Sequence, residues 1–294
     1  MTDKKFNRGA TIILTVIVLW TLFPLLLMVM SSFTDETTLL RNGYSIIPEK
    51  LSASAYGYII QQSGTIFQAY GVTILVTLIG TALSVLLTCL LAYPMARKAF
   101  KYRGVLTFFV FFTMLFNGGI VPSYMLWTNL FHIKNTLAAL IVPNYLVGAM
   151  NVILVKNYYQ NNVPDAIIEA AQIDGATEMR IFWKIMLPLA KPVAVTIALF
   201  TGLLYWNDWT NGLYYIDTPK LYSIQLFLKK IMDNIEALKT STQLTAGSAA
   251  VSSSIPGASV RMAIAVIGML PVLIIYPFMQ KYLIKGVVVG AVKG

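Results

Sequence analysis

The chain has 294 residues, of which 57% are apolar and 12% are charged. A soluble globular domain carries about 25% charged residues, so this composition excludes an ordinary soluble protein and indicates that much of the chain faces membrane lipid or other membrane helices. The formal net charge is +10, but the basic residues lie in short clusters beside apolar runs. They lack the basic patch with stacking aromatic side chains that nucleic acid needs, so we expect orientation signals and no nucleic-acid partner.

Residues that could carry metal or redox chemistry are scarce. Cys89 is the one cysteine and His132 is the one histidine, so the chain can form neither an internal disulfide nor a histidine or thiolate metal cluster. We expect Cys89 to be a small packed side chain, His132 to lie in a loop, and the chain to have no metal site.

Six apolar runs are long enough to cross a membrane as tilted helices. They are continuous rather than alternating, which predicts helices and not strands. The first run follows Lys4, Lys5 and Arg8 and is too long for a cleaved signal peptide, so we expect an uncleaved signal anchor. The chain is therefore predicted to be an all-α polytopic membrane protein with one transmembrane domain over residues 1–294. The spans lie at about residues 10–32, 68–94, 105–128, 137–158, 191–215 and 260–284.

Lysine and arginine predict the orientation of these spans. Six crossings place both termini on one side, together with the loops at about 95–104 and 159–190. This side carries most of the clustered basic residues, the strongest cluster being Arg97–Arg103. The positive-inside rule therefore predicts that both termini and the 159–190 loop are cytoplasmic. The loops at about 33–67, 129–136 and 216–259 are then external, and the Ser, Thr, Gly and Ala content of the last one predicts a mobile loop.

The 159–190 loop contains a long spaced pattern. It reads E-A-A, three residues, G, nine residues, I-x-L-P, beginning at Glu169. We expect a short helix that starts near Pro164 and Asp165 and ends at Gly175 in the left-handed conformation. Thr177 is expected to cap a second helix that Pro188 ends. The positions that the pattern specifies or encloses are Glu169, Ala170, Ala171, Asp174, Gly175, Ile185, Leu187 and Pro188.

The first helix of this loop is a candidate docking element. Ile167, Ala170 and Ala171 are spaced to share one face, and the small alanines permit close approach of another surface. Glu169 and Asp174 place carboxylates near the two ends of that helix. The alternative is an amphipathic hairpin at the membrane interface with no partner.

Two groups of polar and aromatic residues are candidates for the substrate pathway. Sugars are bound by aromatic faces and by hydrogen bonds to their hydroxyls, and the first group supplies both aromatic and polar side chains. The alternative role for this group is an aromatic belt at the membrane interface. Asp208 of this group is expected to face water, a partner or substrate, because a buried charge in a membrane is costly. The second group could line the pathway or bond between helices. The first group is Tyr205, Trp206, Asn207, Asp208 and Trp209, and the second is Asn117, Asn144, Tyr145 and Asn151.

The loop pattern resembles the EAA loop of ABC importer permeases. The C-terminal segments Gln280–Gly286 and Gly290–Gly294, with Trp206–Trp209, resemble the maltose-type, MalG-like sugar permeases over essentially the whole chain. Phe116–Gly119 followed by Pro122 resembles permeases for larger or complex oligosaccharides. The missing P-loop agrees with a subunit that has no ATP site of its own.

This resemblance implies a transport subunit rather than an enzyme, with the type I ABC importer fold, in the bacterial cytoplasmic (inner) membrane. It implies a second homologous permease in a heterodimer, two ATPase subunits that bind ATP and magnesium, an extracellular solute-binding protein and an oligosaccharide substrate. The chain itself binds no cofactor on this interpretation, and it contacts membrane lipid. The Glu169–Pro188 loop is then the element that docks into the ATPase, and Lys293 and Gly294 are further candidates for ATPase contact.

Two other classes of protein remain as alternatives. A secondary transporter or channel for a polar solute needs intramembrane ionisable residues, and only Asp208 and Arg261 lie near the ends of spans. A polytopic membrane enzyme needs a histidine cluster, paired carboxylates or a nucleophile with its base, none of which the spans show. The sequence does not identify the sugar.

Overall fold

The computed structural model describes the backbone of residues 2–61, 63–244 and 257–291 and the side chains of 6–61, 64–237 and 257–277. Within these residues the architecture is helical, with one isolated antiparallel bridge between Thr34 and Leu51. We number the helices in chain order as α1 Thr2–Ser32, α2 Glu36–Asn42, α3 Ser54–Ile60, α4 Ser63–Ala96, α5 Arg103–Leu115, α6 Ile120–Met125, α7 Ala138–Ile141, α8 Ala149–Asn162, α9 Asp165–Ile173, α10 Glu178–Ile181, α11 Leu187–Leu189, α12 Lys191–Trp206, α13 Thr210–Tyr215, α14 Ile224–Leu244 and α15 Ala258–Ala291.

Three of the predicted spans are continuous helices. Phe6–Ser32, Gly64–Ala96 and Ala258–Pro277 are each long and apolar enough to cross a membrane. Two bent helix pairs raise the number of possible spans to five among the described residues. They are Arg103–Leu115 with Ile120–Leu130, bent by 119°, and Glu178–Leu189 with Lys191–Trp206, bent by 77°.

The third, fourth and fifth predicted spans are not single helices. The run at about 105–128 breaks at 116–119, where Gly119 has a φ of +85°. The run at about 137–158 divides into α7 and α8 around Pro143 and Gly148. The run at about 191–215 ends its helix at Trp206 and resumes as α13. Proline and glycine explain the first two breaks, because proline removes a helical hydrogen bond and glycine accepts a left-handed backbone.

The two longer loops predicted to be external contain helices. Residues 33–67 include α2 and α3, and residues 216–259 include the whole of the 21-residue α14. The expectation of a mobile loop rested on the stretch from Thr240 to Ser254. Its first five residues form the end of α14, and the rest lies outside the described residues.

The described residues divide into two compact units. One comprises residues up to 66 together with 227–274, and the other comprises 67–226 together with the chain from 275 onwards. In the first unit, Glu36 of α2 accepts hydrogen bonds from the backbone amides of Gly257, Ala258 and Ser259 at 2.8–2.9 Å. The start of α15 is therefore capped by a residue that is distant in sequence.

The second unit contains the hairpin predicted to be the coupling loop. Its larger core joins the C-terminal half of α4 to α8, the 165–189 segment and α12. Cys89 is buried in this core, as expected. A further apolar cluster packs the N-terminal half of α4 against α7 and the residues around Tyr205 and Tyr215. Helix α4 therefore extends from one cluster to the other.

Candidate functional site

Residues 165–189, which we call the coupling hairpin, have the local structure that their turn residues predict. Pro164 precedes α9, and Gly175 has a φ of +75°, the left-handed conformation expected where that helix ends. The Thr177 hydroxyl accepts a hydrogen bond from the Arg180 amide at 3.4 Å and so caps α10. Contrary to expectation, Pro188 does not end the second helix. A π-helical turn at Phe182–Met186 leads into α11, and the chain turns after Leu189.

The inner face of the coupling hairpin packs against the core. Ile168 is 3% exposed, and Ala171 is half-buried against the same core cluster. Ile185 and Leu187 of the loop pattern also pack there. Ala171 therefore lies on the inner face rather than on a shared docking face with Ala170, which differs from the expectation from spacing alone.

The outer face of the hairpin carries apolar side chains that the described chain leaves uncovered. Glu169, Ala170 and Asp174 are exposed, and Ile173 is 86% exposed. Ile167, Met179 and Trp183 are also exposed. Exposed apolar groups on a segment rimmed by charges are typical of a protein interaction site.

Two polar contacts tie the hairpin to the C-terminal end of α4. The Lys98 ammonium donates to Asp165 Oδ2 at 2.8 Å, and this hydrogen bond lowers the pKa of the Asp165 carboxyl below its usual value. Both side chains are largely exposed, so the pair contributes little stability. The other contact is formed by Glu178, which no sequence pattern singled out.

Glu178 stands at the junction of three segments. Its Oε1 accepts a hydrogen bond from Gln172 Nε2 at 2.8 Å, which closes the hairpin on itself. Its Oε2 accepts from the hydroxyl of Tyr93, and the Arg97 guanidinium lies 3.6 Å from Oε1. A glutamate in a first helical turn is ordinary in sequence, so only the positions of Tyr93 and Arg97 in the fold distinguish it.

The candidate pathway residues of the fourth and fifth predicted spans meet in a polar network around Asp208. Asp208 is 5% exposed, so it faces neither water nor an open pathway within the described chain, which differs from the expectation. Its Oδ1 accepts from the amides of Thr210 and Asn211 at 3.0 and 3.1 Å and from the Tyr145 hydroxyl at 3.4 Å. Asn144 Nδ2 donates to Asn211 Oδ1 at 2.7 Å. Buried polar groups in membranes need such partners.

The remaining pathway candidates separate into buried and exposed residues. Tyr205 is buried and donates to the Ile141 carbonyl at 2.7 Å, while Trp206 is buried beside Tyr70. Asn151 donates a hydrogen bond to the Thr201 hydroxyl at 3.4 Å. This contact joins two helices, which is the second of the two roles considered for Asn151. Asn117, Asn207 and Trp209 are the other candidates, and all three are exposed.

The metal site and the C-terminal contact with the ATPase are the two remaining subjects of the sequence predictions. No group of three or more His, Cys, Asp or Glu side chains within the described residues could hold a metal ion. Lys293 and Gly294, the C-terminal candidates for ATPase contact, lie outside the described residues.

Comparison with known proteins places the hairpin in a family context. A family model described as binding-protein-dependent transport system inner membrane component matches residues 84–289, which contain the hairpin and the Asp208 network. Protein LplC of Bacillus subtilis (strain 168) is 35% identical over 93% of this chain and 90% of its own length. The polygalacturonan/rhamnogalacturonan transport system permease protein YtcP of the same strain is 34% identical over 100% of both chains.

One solved structure has the same fold. A chain in the crystal structure of a bacterial ABC transporter involved in the import of the acidic polysaccharide alginate is 26% identical, with a TM-score of 0.76. The match covers 96% of this chain and 98% of that chain. The breaks in the predicted spans therefore occur within a fold that is shared with a transporter.

Proposed function

Because the chain belongs to the family of inner membrane components of binding-protein-dependent transport systems, we propose that it is one permease subunit of an ATP-driven oligosaccharide importer. The family consists of multi-pass membrane subunits rather than enzymes, and the ATPase is a separate subunit. On this proposal ATP and magnesium bind the ATPase partners, and a solute-binding protein delivers the sugar from outside the cell. The chain contributes half of the pathway and no catalytic residue.

The coupling hairpin is the proposed docking site for the ATPase. The observation that carries this proposal is the exposed outer face of α9, where Ile173 is 86% exposed next to the exposed Ala170 and Glu169. Ile167 and Ile173 are exposed there together with the carboxylates of Glu169 and Asp174, a charged rim around apolar groups that is typical of a protein interaction site. Lys293 and Gly294 are proposed as a further contact with the ATPase, from the family resemblance of the C-terminus.

Six crossings with both termini in the cytoplasm remain the proposed topology. The continuous helices α1, α4 and α15 supply three crossings, and the broken segments 103–130, 138–162 and 191–215 supply the others. Arg97 and Lys98 beside the hairpin support a cytoplasmic position for that end of α4 through the positive-inside rule.

A second permease is proposed to cover the broken segment 103–130. Every residue from 111 to 122 is exposed, including the non-helical residues 116–119. Irregular backbone is not stable against lipid and requires protein or a water-filled cavity around it. A cysteine replacing Phe112 should therefore cross-link to the partner permease, and cross-linking to lipid probes alone would contradict this pairing.

The proposed cargo is an oligosaccharide derived from an acidic polysaccharide. This rests on the relative named for polygalacturonan and rhamnogalacturonan and on the alginate importer. Among the pathway candidates, Asn207 and Trp209 are exposed and available to a sugar, whereas Asn117 lies in the segment that the second permease is proposed to cover. Tyr205 and Asp208 are buried and are proposed to support the helices that surround the pathway. Whether the cargo is acidic or neutral is tested by comparing oligogalacturonides and the neutral maltotriose as competitors for uptake.

Replacing Ile173 by aspartate tests the docking proposal. We expect Ile173→Asp to lower ATP-dependent uptake by about tenfold or more, because a charge in a desolvated interface costs at least ~1.4 kcal/mol. The matched control is Ile47→Asp, since Ile47 is 82% exposed in a loop of the other unit and is expected to leave uptake within about twofold.

Uptake equal to wild type in Ile173→Asp would argue against the docking site. Uptake that follows a proton or sodium gradient and needs no ATPase would favour the secondary transporter instead.

A further inference from the structure

The Glu178 carboxylate connects the coupling hairpin to a membrane-spanning helix. One oxygen accepts from Gln172 on α9, and the other accepts from the hydroxyl of Tyr93 on α4. Arg97, just beyond α4, lies 3.6 Å from the same carboxylate. Glu178, which itself begins α10, therefore joins both helices of the hairpin to the end of α4, whereas the pair of Lys98 with Asp165 reaches α9 alone.

The partners of Glu178 at the end of α4 are far less exposed than Lys98 and Asp165. The Arg97 side chain is 12% exposed and Tyr93 is 7% exposed, whereas the Lys98 and Asp165 side chains are 77% and 54% exposed. The Glu178 side chain is itself 59% exposed, so the charge that loses its partner in a poorly solvated position when Glu178 is removed is that of Arg97. The Glu178 contact therefore constrains the hairpin more strongly than the exposed pair does.

Helix α4 connects the Glu178 contact at its C-terminal end to the Asp208 network near its N-terminal half. From Tyr93 back to Thr73 the helix rises about 30 Å, the thickness of a bilayer core. The Thr73 hydroxyl accepts from the Ile224 amide at 2.8 Å, beside Ser223, whose hydroxyl donates to the Asp208 carbonyl at 2.9 Å. Ser84 of the same helix donates to the Tyr145 carbonyl at 3.3 Å. All of these residues belong to one compact unit.

We propose that Glu178 is a positioning residue that clamps the coupling hairpin to α4, so that movement of the hairpin moves α4 and, through it, the Asp208 network. This inference rests on the proposed function, because a clamp transmits work only if an ATPase moves the hairpin. Without the clamp, α9 and α10 tilt independently of α4 and ATP is hydrolysed without matching transport.

The test measures sugar imported per ATP hydrolysed. The complete importer, with its ATPase, partner permease and binding protein, is reconstituted in liposomes, and the probe is oligogalacturonide or maltotriose, whichever the wild type imports. Glu178→Ala is expected to lower uptake per ATP by about tenfold, within the 5–150-fold range of typical coupling between sites. The matched control is Lys98→Gln, which removes the exposed pair with Asp165 from outside the hairpin and should stay within about twofold.

A cross-link separates this inference from the proposed function. A cysteine at Ile173 should still cross-link to the ATPase in Glu178→Ala, because the outer face of the hairpin is unchanged. Loss of uptake per ATP with the cross-link retained supports the clamp, and uptake per ATP within twofold of wild type overturns it. If the cross-link is missing even with Glu178 intact, the docking proposal fails rather than the clamp.

Exchange of the charges distinguishes a clamp from a general structural role. Arg97→Glu combined with Glu178→Arg restores an ion pair between the same positions, and it should recover uptake per ATP to within about threefold of wild type. A folded double variant as defective as the single variants would overturn the proposal. If Glu178→Ala fails to insert, Glu178→Gln replaces it in the same measurement of uptake per ATP. Glutamine keeps an acceptor oxygen and the side-chain length but removes the charge that faces Arg97.

Discussion

Glu36 shows how one buried carboxylate organises a helix terminus. It is 7% exposed, and its two oxygens accept from three backbone amides and from the Ser259 hydroxyl at 2.6 Å. Burial alone would raise the pKa of this carboxyl, but the hydrogen bonds from Ser259 and from the amides of Gly257 and Ala258 outweigh it and lower the pKa. The ionised form is therefore the one that stabilises the start of α15.

This cap predicts a pH-dependent loss of stability in Glu36→Gln. A carboxyl whose pKa is lowered in the folded state contributes stability above its unfolded value of 4.5, and the contribution disappears as pH falls through the lower folded value. At neutral pH the variant should be less stable by about 2 kcal/mol, because an amide offers one acceptor oxygen to several donors. Thermal unfolding in detergent at about pH 7 and about pH 3.5 measures the difference, which should shrink at the lower pH.

Glu49→Gln is the control for this prediction. Glu49 is exposed and accepts from Asn42 Nδ2 at 2.7 Å, so its replacement should change stability by no more than about 0.5 kcal/mol at either pH. A Glu36→Gln variant with the same unfolding temperature as wild type at neutral pH would contradict the cap.

At the scale of the element, α4 and α12 cross at small residues. A Cβ added at Gly80 would lie 2.6–2.9 Å from the ring of Tyr205, which is held by its hydrogen bond to Ile141. A Cβ added at Gly202 would meet only the Thr81 hydroxyl, at an ordinary 3.5 Å. Small residues at such crossings allow membrane helices to approach closely.

The crossing predicts opposite effects for two identical substitutions. Gly80→Ala should destabilise the protein by about 1–3 kcal/mol, because the Tyr205 ring cannot move without breaking its hydrogen bond. Gly202→Ala should be neutral or stabilising by up to about 1 kcal/mol, because alanine favours a helix interior and has room there. Thermal unfolding of both variants in detergent compares them, and equal unfolding temperatures would contradict the close approach at Gly80.

Continuity of the helices was only partly predictable from the sequence. The long apolar runs correctly predict α1, α4 and α15, because a continuous apolar helix is the stable solution in lipid. The same criterion fails at 116–119 and around Pro143, where the predicted spans continue but the backbone turns. Proline and glycine are tolerated in many membrane helices, so their presence alone does not predict which spans break.

At the scale of the whole molecule, predictability depends on sequence separation. The coupling hairpin is set by neighbouring residues, and its left-handed Gly175 and capping Thr177 were predicted correctly. The contacts of Glu178 with Tyr93 and of Glu36 with Ser259 join residues 85 and 223 positions apart. Local propensity carries no information about such pairs, so only the fold identifies them.

The two ends of the second unit have different roles on the proposed function. The hairpin end exposes an apolar face and binds a partner, whereas the end around Asp208 satisfies its polar groups internally. The hairpin can be recognised from a spaced motif. The Asp208 network has the composition of a sugar site, because the polar residues that bind sugars are also the ones that pack membrane helices together.

The most direct test of the central claim is cross-linking from residue 173 in the membrane. Ile173→Cys, probed with a short bifunctional reagent in the assembled transporter, is expected to join this chain to its ATPase subunit, and the efficiency should change when ATP is added. The same reagent on Ile47→Cys should give no such product. A transporter that imports its sugar with ATP but yields no product from residue 173 to the ATPase would contradict the assignment of the 165–189 hairpin as the coupling element.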